Sequence, residues 1–213
     1  MKILVTGFDP FGGESINPSS EVVRRLPKNV LDAEIIPLIV PTMFQLSISV
    51  IEEAILKYDP DVIVSIGQAG GRNAITVERI GINVDDARIP DNAGVQRIDE
   101  PVVSLGPAAY FSTLPIKAMV QHIQNKGIHA AVSNTAGTFV CNHVMYGVLH
   151  LCATKYKNKR AGFIHIPYLI EQTQSKPQYP SMSLEDIITG IIASLEAIVL
   201  YDKDIKVTAG QEH

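Results

Sequence analysis

Along this chain, short continuous apolar runs alternate with longer stretches whose apolar residues recur every three or four positions. That is the pattern of strands buried on both faces followed by amphipathic helices. Lys2 to Thr6 predicts a first strand, and the loop Gly7 to Gly13 follows it. Asn17-Pro18 supplies an N-cap residue and a proline for the first helical position, opening a helix to about Leu26. Ala33 to Val40 predicts the second strand, and Thr42 then begins a helix with Phe44, Ile48, Ile51 and Ile55 on one face. Val62 to Ile66 is the third strand and runs into the glycine-rich loop Gly67 to Arg72. From Ile75 to Val84 the alternation changes phase: positions 75 and 77 are apolar, then 80, 82 and 84, so a bulge or bend is expected around Glu78 and Arg79. Asp85 to Pro107 is a polar loop of a length that is often functional. Pro115 to Asn125 predicts a helix closed by Gly127, and Ala130 to Ser133 a short strand. The next helix carries Cys141, Val144, Val148, Leu151 and Cys152 on one buried stripe. Ala161 to Ile166 is the last strand, Ser183 with Asp186 forms a capping box for the last helix, and the tail beyond Tyr201 has no clear pattern. An unbroken α/β rhythm without repeat or linker predicts one α/β domain over residues 1–213.

Composition narrows the class. With 213 residues, 46% of them hydrophobic, the chain can bury a core that needs neither metal nor disulfide. Its charged fraction of 19% falls below the roughly 25% usual for soluble domains, which points to surface covered by other subunits. A net charge of -4 leaves no basic footprint for nucleic acid or an anionic membrane. The apolar stretch Ile187 to Leu200, interrupted by Glu196, is too short to span a bilayer, and the N-terminus has no signal-peptide core. Two cysteines do not make a secreted disulfide framework. Together these features predict a cytoplasmic protein whose partners are small molecules or peptides.

Ligand sites in open α/β sheets gather at the carboxyl ends of strands, and the candidate chemistry falls there. Cys141 lies near a helix start, where the dipole and free N–H groups are expected to lower a thiol pKa; it is either a nucleophile or a core residue. Cys152, three turns later, reads as a small core hydrophobe. Of the six histidines, His143 is two residues from Cys141 and faces elsewhere, His122, His129 and His150 lie in helices or a turn, and His213 is terminal. That leaves His165, at the end of a strand, as a base or as a satisfied core histidine. Glu78, an acid inside an apolar run, reads as the carboxylate that orients an imidazole, as a partner of Arg79, or as a residue on an exposed face. Asp85, Asp86, Asp91 and Asp99 have no histidine at ligand spacing, so no metal is expected, and neither Gly7 to Gly13 nor Gly67 to Gly71 spells a nucleotide-binding fingerprint. Phe8, Phe11 and Phe139, three of six phenylalanines, fall on loops near the proposed nucleophile, as a pocket wall or as ordinary loop packing.

Four blocks carry a resemblance. Gly67-Gln68-Ala69-Gly70-Gly71-Arg72, Glu78-Arg79 through Asp91-Asn92, Ser133 through His143, and Phe163-Ile164-His165-Ile166-Pro167-Tyr168 resemble the bacterial type I pyroglutamyl (pyrrolidone-carboxylate) peptidases, over nearly the whole chain. The resemblance implies a cysteine exopeptidase that removes an N-terminal pyroglutamyl residue, without a cofactor, with Glu78, Cys141 and His165 as its triad. It implies a three-layer α/β/α sandwich around a mixed, mostly parallel sheet, a cytosolic location and a homotetramer. Phe8, Phe11, Asn17, Thr42, Gln68, Ile89, Phe139 and Val140 match the substrate pocket, and Arg88 matches a residue associated with the oxyanion site. The chain departs from the family pattern at Ile170, where many members have proline, and at Arg97, where a Gln-Pro pair is usual. Two other classes fit the residues alone: a cysteine amidase or acyltransferase for another acyl group, and a ligand-binding protein in which Cys141 is no more reactive than Cys152.

Overall fold

In a computed structural model that describes residues 1–210, the chain begins with β1 (Lys2–Phe8), α1 (Pro18–Arg25), β2 (Asn29–Val30), β3 (Ala33–Val40) and α2 (Leu46–Tyr58). There follow β4 (Val62–Gln68), β5 (Ile75–Glu78), β6 (Ile80–Ile82), β7 (Ala109–Phe111), α3 (Ile116–Asn125), β8 (Ala130–Ser133) and α4 (Val140–Thr154). The last elements are β9 (Arg160–Ile166), β10 (Tyr168–Leu169), α5 (Ile170–Thr173), β11 (Ser181–Met182) and α6 (Leu184–Leu200).

Seven strands form one sheet in the order β2-β3-β1-β4-β9-β5-β8. The four in the middle, β3, β1, β4 and β9, are parallel; β5 and β8 are parallel to each other and run against β9, and β2 runs against β3 at the far edge. Successive residues of a strand face opposite sides, so the unbroken apolar run of β1 feeds two cores. Ile3 and Val5 join the core beneath α1, α3 and α6, while Leu4 joins the one beneath α2 and α4. This is the α/β/α sandwich with a mixed, mostly parallel sheet that the resemblance implied.

Local signals held where the N–H and C=O groups had no other partner. Asn17 caps α1 through its side-chain oxygen, which accepts from Ser19 N, and Ser183 caps α6 by accepting from Asp186 N. Gly127, with φ +78°, closes α3 in the left-handed conformation that glycine adopts without penalty. The phase change at Glu78 and Arg79 is real but is not a bulge: the chain leaves the main sheet there, and β6 pairs instead with β7, a strand the sequence pattern did not announce.

Two expectations are corrected. The helix foreseen from Thr42 starts at Leu46, because Gln45, at φ +60° and ψ -53°, is outside the helical region, and the segment before it is tied down by Thr42 N donating to Asp9 Oδ1, Phe44 N to Asp91 Oδ2 and Gln45 N to His143 Nε2. The tail beyond Tyr201 is docked as far as residue 210, since Asp204 accepts from Lys117 N and Ala118 N and so caps α3, and Ala209 O accepts from Arg79 Nη2. His213, set aside as terminal, lies outside the described residues.

Candidate active site

The site forms where the two strand directions meet. Running downward against β9, β5 brings Thr76 opposite His165 and carries Glu78 along the same face. Glu78 is fully buried, and its Oε1 accepts from His165 Nδ1 at 2.7 Å and from Arg72 Nη1 at 2.6 Å. A carboxylate only accepts, so Nδ1 carries the imidazole proton and Nε2 keeps its lone pair. Burial lowers the His165 pKa below its ordinary 6.5, against the raising influence of Glu78, so the ring is neutral near pH 7. For Glu78, burial alone would raise the carboxyl, but the hydrogen bond from His165, together with the Arg72 guanidinium, holds it below 4.5. Its second oxygen, Oε2, is buried without a hydrogen-bond partner among the described residues; the neighbouring Ser133 hydroxyl donates to Thr135 O.

Cys141 reaches this pair across a glycine. Gly67 pairs in register with His165, and a methyl group built on Gly67 would lie 2.8 Å from Cys141 Sγ and 2.8 Å from the Phe163 ring. The same Phe163 ring is tilted against His165 at a centroid distance of 4.8 Å and against Phe8 at 6.2 Å. Gly67 is therefore the gap that lets thiol, imidazole and ring share one surface. Gly67→Ala is expected to keep the fold yet displace the Cys141 thiol, costing about 1–3 kcal/mol of stability and most of any activity; parallel melting and turnover measurements check it.

The thiol itself corrects an expectation. Although Cys141 is only partly covered and opens α4, its thiol is pushed up to about 12, first by burial and then by the Glu78 charge, with Arg72 opposing. Desolvation beside an anion outweighs the helix start, so the resting site holds a thiol and a neutral imidazole.

Around this centre the loops are tied together through Asp9 and Asp91. Asp9 O accepts from Asn17 Nδ2 and Thr42 Oγ1, Asp9 Oδ1 accepts from Thr42 N and Asn92 Nδ2, and Asp91 accepts from Phe44, Ala93 and Val95 N–H groups. An aromatic wall follows from that tying: Phe11 lies against Phe139 at 6.0 Å, and Phe44 meets Phe139 edge-on at 5.6 Å.

A family model described as pyroglutamyl peptidase matches residues 1–201. The chain belongs to the pyroglutamyl peptidase family. Two relatives in this family are pyrrolidone-carboxylate peptidases from Clostridium perfringens, 59% identical over 210 residues and 99% of each chain, and from Streptococcus pneumoniae, 56% identical over 214 residues and the whole of each chain. Among solved structures, pyroglutamyl peptidase I from Bacillus amyloliquefaciens superposes with a TM-score of 0.94 at 48% identity, covering 97% of this chain and 99% of that one. A mutant pyrrolidone carboxyl peptidase from Pyrococcus furiosus gives 0.90 at 43% identity, covering 94% and 99%.

Against that family background the placement of each expected residue is plain. Glu78 and His165 are bonded to one another, Cys141 shares Gly67 with His165, and Cys152 is core. Glu78 pairs with Arg72 and not with Arg79, whose guanidinium goes to Asn134 Oδ1 and Ala209 O. Phe8 and Val140 are buried in the wall, while Phe11, Gln68 and Phe139 are partly open and Ile89 is exposed beside Gly12. The Gln68 Oε1 accepts from Gln172 Nε2. Asn17 and Thr42 spend their side chains on the loop bonds just described. Arg88 is exposed and bonds to no other described residue. Arg97, the departure from the family pattern, forms ion pairs with Asp85 and Glu100 and lies over the Phe44 ring. Sequence reasoning missed Arg72 and Phe44. Arg72 had only its place in the glycine-rich loop to mark it, and Phe44 was absorbed into a helical stripe that does not reach it.

Proposed function

We propose that this protein is a cysteine exopeptidase that hydrolyses the amide bond following an N-terminal pyroglutamyl residue of peptides and proteins. The observation that carries this reading is the buried Glu78–His165 hydrogen bond, which leaves the Nε2 lone pair of His165 free beside Gly67, its register partner, against which the Cys141 sulfur packs. The Cys141 sulfur attacks the carbonyl carbon that joins the pyroglutamyl ring to the next residue, and its proton passes to His165 Nε2. No side chain caps the start of α4 at Phe139, so first-turn N–H groups there are open to the oxyanion, with Arg88 as a second candidate donor. Collapse expels the amine, protonated by His165, and leaves a thioester. His165 then takes a proton from water as it attacks the thioester, Glu78 steadies the imidazolium, and the C–S bond breaks to release 5-oxoproline as the proton returns from His165 to the Cys141 sulfur.

Phe8, Phe11, Phe139, Val140 and Ile89 would enclose the lactam ring, and Gln68, with Asn17 and Thr42 holding the loops in place, would read its amide edge. A site that hydrogen-bonds those edges rejects proline, which lacks the ring carbonyl. A cytoplasmic homotetramer goes with this reading; the exposed Ile98, Leu105 and Phe111 support subunit contact.

The purified protein should release dye from a pyroglutamyl amide and not from prolyl or glutaminyl amides. Release from another acyl group, with pyroglutamyl amide untouched, would move the assignment to a different amidase. Its pH profile follows from His165. The folded pKa lies below 6.5, so the base survives at neutral pH and is lost as pH falls through that lowered value, placing the acid limb of kcat/KM below pH 6.5. An acid limb above 6.5 would contradict the assignment of His165 as base.

A further inference from the structure

A second carboxylate–imidazole pair lies behind the aromatic wall. Asp85, fully buried where it bridges to Glu100, accepts from His143 Nδ1 at 2.8 Å, and His143, also fully buried, accepts at Nε2 from the Gln45 N–H at 2.9 Å. Both bonds together select one neutral tautomer, with the proton on Nδ1. The Gln45 backbone is the strained element: φ +60° and ψ -53°, with Leu46 N donating to Phe44 O across a three-residue turn. A γ-turn of that hand is rare for a residue other than glycine, and such strain persists only where the surroundings over-determine it. Here the N–H of Phe44 is held by Asp91 and that of Gln45 by His143.

The consequence is where Phe44 goes. Its ring stands edge-on to His143 at 5.2 Å and to Phe139 at 5.6 Å, and Phe139 in turn packs on Phe11. Two positions separate His143 from Cys141, so one helical turn presents the thiol to Gly67, the register partner of His165, and the imidazole to the strained turn. We infer that Asp85 and His143 are positioning residues for the acyl pocket: the pair latches the Gln45 turn and thereby sets Phe44 against Phe139. This rests on the reading of the site as a pyroglutamyl peptidase centre. Without the acceptor at Nε2, the turn relaxes toward ordinary φ and Phe44 leaves the wall, weakening substrate binding more than the chemical step.

Two substitutions separate the latch from mere packing. A glutamine amide oxygen reaches the place of Nε2, whereas an asparagine amide reaches only that of Nδ1. His143→Asn is expected to raise KM for a pyroglutamyl amide about tenfold or more with kcat changed less than about threefold, while His143→Gln keeps KM within about threefold. Hydrogen exchange at the Gln45 amide is expected to be slow in the native protein and in His143→Gln, and fast in His143→Asn. Equal KM in both variants, or a fall in kcat with KM unchanged, overturns the proposal. If the native chain hydrolyses no pyroglutamyl amide, the reading of the site fails, and unchanged exchange in His143→Asn separately overturns the latch. Should His143→Asn not fold, fast exchange at Gln45 in the native protein overturns it as well.

Discussion

Replacing Cys141 by alanine is expected to lower turnover of a pyroglutamyl amide by about 10⁴-fold or more while leaving the fold intact. The side chain is small and partly exposed, so the truncation opens no large cavity, and the effect lies in the chemistry. On the proposed mechanism no acyl-enzyme forms without sulfur, and the remaining groups can only assist direct attack by water. Cys152→Ala serves as the control: the residue sits in the core at 5% exposure, so its loss costs about 1 kcal/mol of stability and leaves kcat alone. Iodoacetamide should modify Cys141 before Cys152, because only Cys141 has access to solvent and a neighbouring base. Equal loss of activity in both variants, or equal alkylation, would remove Cys141 from the mechanism and favour a ligand-binding protein.

Glu78→Gln is expected to lower kcat by about 10³- to 10⁴-fold with KM little changed. The substitution keeps the volume of the buried side chain but removes the charge that Arg72 and the forming imidazolium both use. It also frees the tautomer. If the amide NH₂ faces Nδ1, the ring proton moves to Nε2, and the base can no longer accept from Cys141. Glutamine is chosen over alanine because alanine would leave His165 without a partner in a buried site and confound catalysis with folding. Rates measured alongside a melting curve settle the point; a loss smaller than about threefold in a folded variant would show that His165 needs no orienting carboxylate.

Much of the fold was legible because its signals are local. Strands buried on both faces must be apolar throughout, and caps such as Asn17 and Ser183 act within one turn of their own helices. The three titratable groups were legible too, each for being out of place: an acid in an apolar run, a histidine closing a strand, a cysteine opening a helix. What could not be read depended on partners far away in the chain. Thr42 to Gln45 have the apolar spacing of a helix, yet Gln45 takes a backbone conformation with positive φ, and Asp9, Asp91 and His143 hold the N–H groups around it. A pattern of side chains does not record where backbone donors will be claimed. In the same way, the phase change at Glu78 announced a break but not that β6 would abandon the sheet for β7.

By itself, then, the sequence determined the α/β alternation, a short set of candidate reactive groups and, through four ordered blocks, the family to which the chain belongs. Tertiary structure alone decided how those groups are placed. Antiparallel insertion of β5 beside β9 brings Glu78 to His165 across 87 residues, and Gly67 leaves the space in which Cys141 meets them. Burial then reverses the thiol shift that the helix start implied, since desolvation beside an anion is set by everything that surrounds a group and not by its position on one element. For the same reason His143, passed over for lying too near Cys141 to serve it, acquires a partner and a place only when two distant segments close around it.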